Sequence, residues 1–474
     1  MCSRYPLFFG LSILALTGCV KYRPRALNPP ALETEYRTRS LTTPALVEFL
    51  RQNGQAQATW PPGSIDLRTL ALVAYFYNPD LAVARSRLAA AEARVAVAGL
   101  RPTSSVAIEG GYNPNPESRV LYGVFPSFTI ETAGKRGLRI LQAQKVVESA
   151  RAGLAESGWL VRSRVRTSLF NYLVAERRRT LIETEVAVRV EIVGIFDKRV
   201  AVGEAPRPEL DSYRVDLLTA RSALDTALGE SVQARMALAT AVGLPGEALA
   251  DPGFRAPELD APVAPTTLPI GAVQKAGVLH RADIRRALAE YGAADAVLRL
   301  EIARQYPDVQ LTPSYSFEEG FARYVLNAAL QPLSGSYRNK ALIAQAEAER
   351  EHVATQFEAL QALAIGEMDR AVEQYRAAYL AWQTAGVRLV EIQTQREAAA
   401  RRALEAGEGD RLGLAVVRLE SVTAARAQLD ALARLATALA AVEDAMQQPL
   451  EAALEIGDAP AMAPQRGIQP GRNP

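Results

Sequence analysis

The sequence predicts a mainly α protein with a small β part, built from long helical hairpins and a few short strands. Three observations predict it. Alanine is abundant and aromatic residues make up only 7% of the chain, a mix that favours long, closely packed helices. No proline occurs between Pro126 and Pro206, nor between Pro332 and Pro449, so neither stretch contains a strong helix breaker. Outside these stretches lie segments of about ten residues that alternate apolar and polar side chains, the period of a strand with one dry face.

The chain of 474 residues is too long for one ordinary domain. Its formal net charge of +2 gives no electrostatic case for a nucleic-acid partner. Two His and two Cys leave little material for a zinc site or a His- or Cys-based catalytic centre. No cofactor is expected, and no enzyme: His280 and His352 lie far apart in charged helical contexts, and no phosphate loop or nucleophile motif stands out.

The N-terminus has the layout of a secretory signal. Arg4 precedes an apolar run, Leu7 to Leu16, which is too short to span a bilayer as a mature helix. The run ends Leu16-Thr17-Gly18-Cys19, which resembles the lipobox of bacterial lipoproteins. That resemblance implies a signal peptide over 1–18 and acylation of Cys19, followed by a lipidated tether over 19–65.

An internal repeat organises the rest. Asp80 and Asp283 are 203 residues apart, and Val165, Leu169 and Tyr172 stand at the same offset from Met368, Val372 and Tyr375. Gly203-Glu204 and Gly407-Glu408 are 204 apart. Two repeats, 66–242 and 270–448, are therefore expected on either side of a Pro-rich linker, 243–269, with a weakly ordered tail over 449–474. Val20 to Pro44 also reads as weakly ordered.

Each repeat reads as a helix (66–100, 268–305), two strands (103–131, 309–331) and a long hairpin (137–242, 340–447). Met368, Val372, Tyr375, Tyr379 and Trp382 are spaced 4, 3, 4, 3, the seam of closely packed helices.

The strands read as membrane strands. Val309, Leu311, Pro313, Tyr315 and Phe317 alternate with Gln310, Thr312, Ser314 and Ser316, and Arg323 and Asn327 fall on the polar side of the next strand. Lipid on one side and water on the other suits that pattern. Pro126 and Pro313 interrupt it and suggest bulges. Four strands cannot close a barrel, and an open edge in lipid leaves backbone groups unpaired, so several chains would share one barrel. Gln310, Arg323 and Asn327 would then face its lumen.

Lipobox, duplication, paired strands and Pro-free hairpins together resemble the TolC-like outer membrane efflux proteins. Local matches are Phe76-Tyr77-Asn78-Pro79-Asp80-Leu81 and the hairpin tips Val202-Gly203-Glu204 and Ala406-Gly407-Glu408, each with a Leu seven residues past the Gly (Leu210, Leu414). Gly134-Lys135-Arg136 is similar to the turn of the heavy-metal efflux branch. The resemblance implies a homotrimer in the outer membrane, with a trimeric α-barrel tunnel below a shared 12-stranded barrel. It implies a passive exit duct for drugs or metal ions, with the tips docking a periplasmic adaptor that joins an inner-membrane transporter. Family members often carry two Asp past the second tip; here those positions are Gly413 and Val416, so an acidic constriction would rest on Glu209, Asp211, Glu408 and Asp410. An exit duct for secreted protein, or a lipid-anchored periplasmic scaffold without a pore, are the alternative readings. Strand alternation speaks against the scaffold.

Overall fold

The computed structural model describes residues 21–55, 60–112, 120–249, 253–259, 262–267, 280–318, 321–331 and 336–449. It is mainly helical with a small sheet. The signal segment, Cys19 and most of the C-terminal tail lie outside the described residues.

Two short helices open the chain, α1 (Pro29–Arg37) and α2 (Pro44–Gln52). Val20–Pro44 thus contains ordered structure where the sequence suggests little. Leu41, Leu46 and Leu50 are buried in the main core, and polar side chains pin the segment down. The Tyr36 hydroxyl donates to the carbonyl of Leu244 at 2.9 Å, and Arg39 Nη1 donates to the carbonyls of Tyr77 and Gly243. Tyr77 and Gly243 lie at helix C-termini, where the last carbonyls have no partner within the helix.

The helix expected over 66–100 is two helices, α3 (Leu67–Tyr77) and α4 (Pro79–Ala98), with β1 (Ser64–Ile65) before them. The break has a local cause. Pro79 has no N–H to continue α3 but fits the first turn of a new helix. Asn78 caps α4 by accepting from the Asp80 N–H at 2.9 Å, and its Nδ2 donates to the carbonyl of Ala241.

Strands β2 (Ser105–Tyr112) and β3 (Val120–Ile130) follow, then the 67-residue helix α5 (Lys135–Ala201), about 100 Å long. Helix α6 (Arg207–Val242) returns along it. The linker does more than join the halves. Leu244, Leu249, Ala256 and Leu259 are buried in the main core, and β4 (Gly253–Phe254) pairs in parallel with β1.

The second half repeats the order: α7 (Ala282–Ala303), β5 (Asp308–Glu318), β6 (Phe321–Gln331), α8 (Ser336–Trp382), a π-helical turn (Gln383–Arg388), α9 (Leu389–Glu405) and α10 (Arg411–Met446). The π turn accounts for the change in repeat spacing. The offset is 203 at Tyr172 and Tyr375 and 204 at Gly203 and Gly407, and the turn lies between. A π turn holds one residue more than the α-helix around it, so it absorbs the insertion.

Met368, Val372 and Tyr375 are buried, with Tyr379 and Trp382 partly so, and most of them pack on Leu435, Val442 and Met446 of α10. Between the halves, α5 meets α10 along a ladder of ion pairs running from Arg166–Glu443 through Arg178–Asp430, Glu185–Arg426 and Glu191–Arg418 to Arg199–Asp410.

Candidate functional site

The four-stranded antiparallel sheet, in the order β2-β3-β5-β6, has two chemically distinct faces. Opposed residues share a face, so the register fixes its make-up. One row runs Ile108–Val124–Tyr315–Tyr324, the next Val106–Pro126–Pro313–Leu326. This face is apolar and exposed: Ile108 is 80% and Tyr324 78% open. Tyr122 stacks on Phe317 at 5.3 Å, and Tyr315 and Tyr324 meet at 5.2 Å. A contiguous apolar surface of this kind marks contact with membrane or protein.

The opposite face carries Gln310, Arg323 and Asn327 together. Gln310 Nε2 donates to Ser127 Oγ at 2.7 Å, Arg323 stands opposite Ser316, and Asn327 opposite Thr312. Phe125 lies over Gly123, where a Cβ would come 2.6 Å from the ring. The outer edges of β2 and β6 have no strand partner among the described residues.

Pro126 and Pro313 do not make bulges between β3 and β5. The register is the same on both sides of them, and the two prolines fall opposite each other where the pairing is interrupted. Two residues that lack an N–H share a single gap, so the rest of the ladder is intact.

The sheet turns into α5 at a tied corner. Ala133 and Gly134 have φ of 53° and 69°, the left-handed region. Lys135 is buried, and its Nζ donates to the Tyr306 carbonyl at 2.6 Å and to Asp308 Oδ1 at 2.7 Å. Asp308 also accepts from the Thr132 N–H, and Arg136 Nε donates to the Gly99 carbonyl. The Gly134-Lys135-Arg136 motif therefore locks strand feet to helix starts. The sequence shows the motif but not its partner Asp308, 173 residues away.

The two tips are built alike. Gly203 has φ +82° and Gly407 φ +76°. The Glu204 N–H donates to the Arg199 carbonyl at 2.8 Å and the Glu408 N–H to that of Ala403 at 2.9 Å, the Schellman closure of a helix end. Val202 and Ala406 occupy the C-caps, and Val202 is largely exposed. Leu210 and Leu414 are buried behind the tips, Leu210 against Ile192, Phe196 and Ala415.

The acids expected at a constriction are each placed differently. Asp410 caps α10 by accepting from the Gly413 N–H at 2.8 Å and pairs with Arg199 at 3.0 Å. The Gly413 N–H, then Arg199, hold its carboxyl below the usual carboxylate range. Asp211 pairs with Arg214, and Glu209 sits in the first turn of α6, where the helix dipole favours an acid. No cluster of three or more metal-binding side chains occurs among the described residues.

Sequence reasoning missed two buried ionic centres at the base of α10. Arg166 meets Glu443 and Asp444, and Arg281 meets Asp283, Glu367 and the carbonyl of Ala445. Arg281 and Asp283 are neighbours in sequence, but Glu367, Ala445 and the partners of Arg166 lie far away, and no local spacing announces them.

The sheet, with one exposed apolar face, stands on helical hairpins whose longest helix, α5, is about 100 Å long. Residues 74–244 match the family described as outer membrane efflux protein. The cobalt-zinc-cadmium resistance protein CzcC of Cupriavidus metallidurans is 27% identical over 209 residues, which are 42% of this chain and 49% of that protein. The chain thus spans about half the length of the curated relative it matches. The outer membrane protein VceC of Vibrio cholerae superposes with TM-score 0.65 at 17% identity, over 81% of this chain and 96% of VceC. CusC superposes with TM-score 0.66 at 18% identity, over 83% and 95% of the two chains. Residues 74–244 thus resemble the outer membrane efflux proteins in sequence, and the chain shares the fold of VceC and CusC.

Proposed function

We propose that three copies of this chain form the outer membrane exit duct of a tripartite efflux system. The observation that carries this reading is the sheet: one face apolar and exposed, the other carrying Gln310, Arg323 and Asn327, with both edges unpaired among the described residues. Lipid must meet the apolar face, and each edge must pair, because unpaired backbone in hydrocarbon is costly. Three sheets of four strands close a twelve-stranded barrel wide enough for a wet lumen. Gln310, Arg323 and Asn327 line that lumen, and the hairpins continue it as a tunnel through the periplasm.

The tips at Val202-Gly203-Glu204 and Ala406-Gly407-Glu408 dock a periplasmic adaptor, which links the duct to an inner-membrane transporter. Glu209, Asp211 and Asp410 of three copies make the constriction. Acylated Cys19 anchors the chain in outer-membrane lipid. The likeness to CzcC and the Gly134-Lys135-Arg136 turn favour metal ions as cargo over drugs.

Labelling of adjacent strand residues tests the arrangement. Asn327→Cys should react with a charged, membrane-impermeant maleimide, and Leu326→Cys only with a lipid-soluble one. The reverse pattern would defeat the reading.

A further inference from the structure

The helices nearest the sheet lie side by side in the order α4-α5-α7-α8, which leaves α4 and α8 at the edges. The repeat makes α7 the counterpart of α4, and α8 that of α5, 203 residues on. Glu92 and Asp295, one repeat apart, each pair with an arginine of the long helix that follows, Arg151 at 3.7 Å and Arg350 at 3.8 Å. The two halves thus pack their helices alike. The inner contact, α5 on α7, has an outer counterpart that one chain cannot make: α8 on α4.

Burial bears this out. On α7 the seam towards α5 runs Arg286, Ala289, Ala293, Ala296 and Leu300, spaced 3, 4, 3, 4. Arg286 Nε donates to Glu156 at 2.8 Å, the Ser149 hydroxyl donates to Glu290 at 3.2 Å, and Ala289, Ala296 and Leu300 are buried. Their repeat partners on α4 are Val83, Ser86, Ala90, Ala93 and Val97, and all five are exposed, Val83 by 49% and Val97 by 65%. The long helices show the same inversion. Ala152 of α5 is buried, whereas its partner Thr355 is exposed on α8, together with Ala348, His352, Ala359 and Ala362 at the same spacing. Charge complements shape: exposed Arg87 and Arg94 accompany the α4 seam, and exposed Glu347, Glu349 and Glu351 the α8 seam.

We propose that α4 of one copy packs on α8 of a second copy in the register that α7 takes on α5 within the chain. The inference rests on the reading of three copies in a ring, which a head-to-tail contact of this kind closes. The Arg286–Glu156 contact then sets Val83 beside Ala359 of the partner subunit. The Ser149–Glu290 contact sets Arg87 beside His352 of the partner subunit, one helical turn from Glu349 of the partner subunit. Small and apolar side chains let the helices approach closely, and opposite charges decide which edge meets which.

Paired cysteines test the register. Val83→Cys with Ala359→Cys places both at exposed positions, so the chain's own core is untouched. In the purified protein a short bifunctional thiol reagent should join copies into bands of two and three chains on a denaturing gel. Either cysteine alone should give single chains, and so should Val83→Cys with Gly366→Cys, one heptad or about 10 Å further along α8. Arg87→Glu with Arg94→Glu should lower the yield of the first crosslink, and adding Glu347→Lys, Glu349→Lys and Glu351→Lys should restore it. Crosslinking by the second pair rather than the first would overturn the proposed register. A particle with the mass of three chains in which neither pair crosslinks would overturn the contact and leave the duct standing. A particle of one chain's mass would overturn both.

Discussion

Arg164 and Glu367 hold the same place in the two halves of the chain, 203 residues apart, and carry opposite charges. Arg164 pairs with Asp80 at 2.8 Å, and Glu367 pairs with Arg281 at 3.2 Å. Asp80 and Asp283 are also repeat partners, so an unaltered copy of the first arrangement would set Glu367 against Asp283. Arg281, which replaces Asn78 of the first half, lies between them and also takes over its bond to a helix-end carbonyl, Ala445 in place of Ala241. The duplicated junction therefore has a polar lock in one half and a buried ionic lock in the other.

The two locks should differ sharply in strength. Both side chains of the Arg164–Asp80 pair are more than half exposed, so Arg164→Ala should cost under about 1 kcal/mol. Arg281 and Asp283 are buried, and Arg281→Met would strand the Asp283 carboxylate, at a cost of about 3 kcal/mol. Thermal melting of both variants checks this, and comparable losses would contradict it.

The buried lock should also give an acid-dependent term. Burial pushes the Asp283 carboxyl up, but the hydrogen bond and charge of Arg281 and the Ile284 N–H outweigh it, and the net shift is downward. A carboxyl with a depressed folded-state pKa stabilises the fold above its unfolded value, about 3.9. That stability is lost as pH falls below this value through the folded pKa. The melting gap between the native protein and Asp283→Asn should be steady at pH 5–7 and shrink at lower pH. A gap unchanged at pH 2.5 would exclude Asp283 as the source.

The π turn makes a prediction opposite to intuition. Deleting exposed Thr384 removes the inserted residue, restores the 203 spacing and lets α8 run straight into α9, so melting should change by less than about 1 kcal/mol. Gly386→Ala keeps the turn but places a Cβ 2.8 Å from the Trp382 ring, which should cost about 1–3 kcal/mol. A deletion more damaging than the alanine would show that the turn is not a simple insertion.

Much of the fold is legible in the sequence because its signals are local. Missing prolines mark the hairpins, the period of two marks the strands, and positive φ at Gly203 and Gly407 follows from glycine where helices must reverse. Even the π turn leaves a trace, the step from 203 to 204. The hidden parts depend on contacts between distant segments. Tyr36 and Arg39 look like tether residues until the carbonyls of Leu244, Tyr77 and Gly243 are brought to them. Pro126 and Pro313 look like separate bulges until the register sets them opposite each other. Of the candidate site, the motif Gly134-Lys135-Arg136 is visible, but Asp308, which explains the lysine, is not.

At the tips, a Cβ on Gly203 or Gly407 would meet nothing within 4 Å, so only backbone strain opposes substitution. Gly407→Val should cost about 1–2 kcal/mol locally and leave assembly intact. Crosslinking to the adaptor and tolerance of the pump's cargo should both fall. Lower melting with full tolerance would reduce these glycines to helix stops.

The most direct test of the duct is the mass and conductance of the purified protein. The detergent-solubilised particle should have the mass of three chains and open steady channels in a planar bilayer, with Arg323→Glu shifting their ion selectivity towards cations. A particle of one chain's mass that passes no current would contradict the reading.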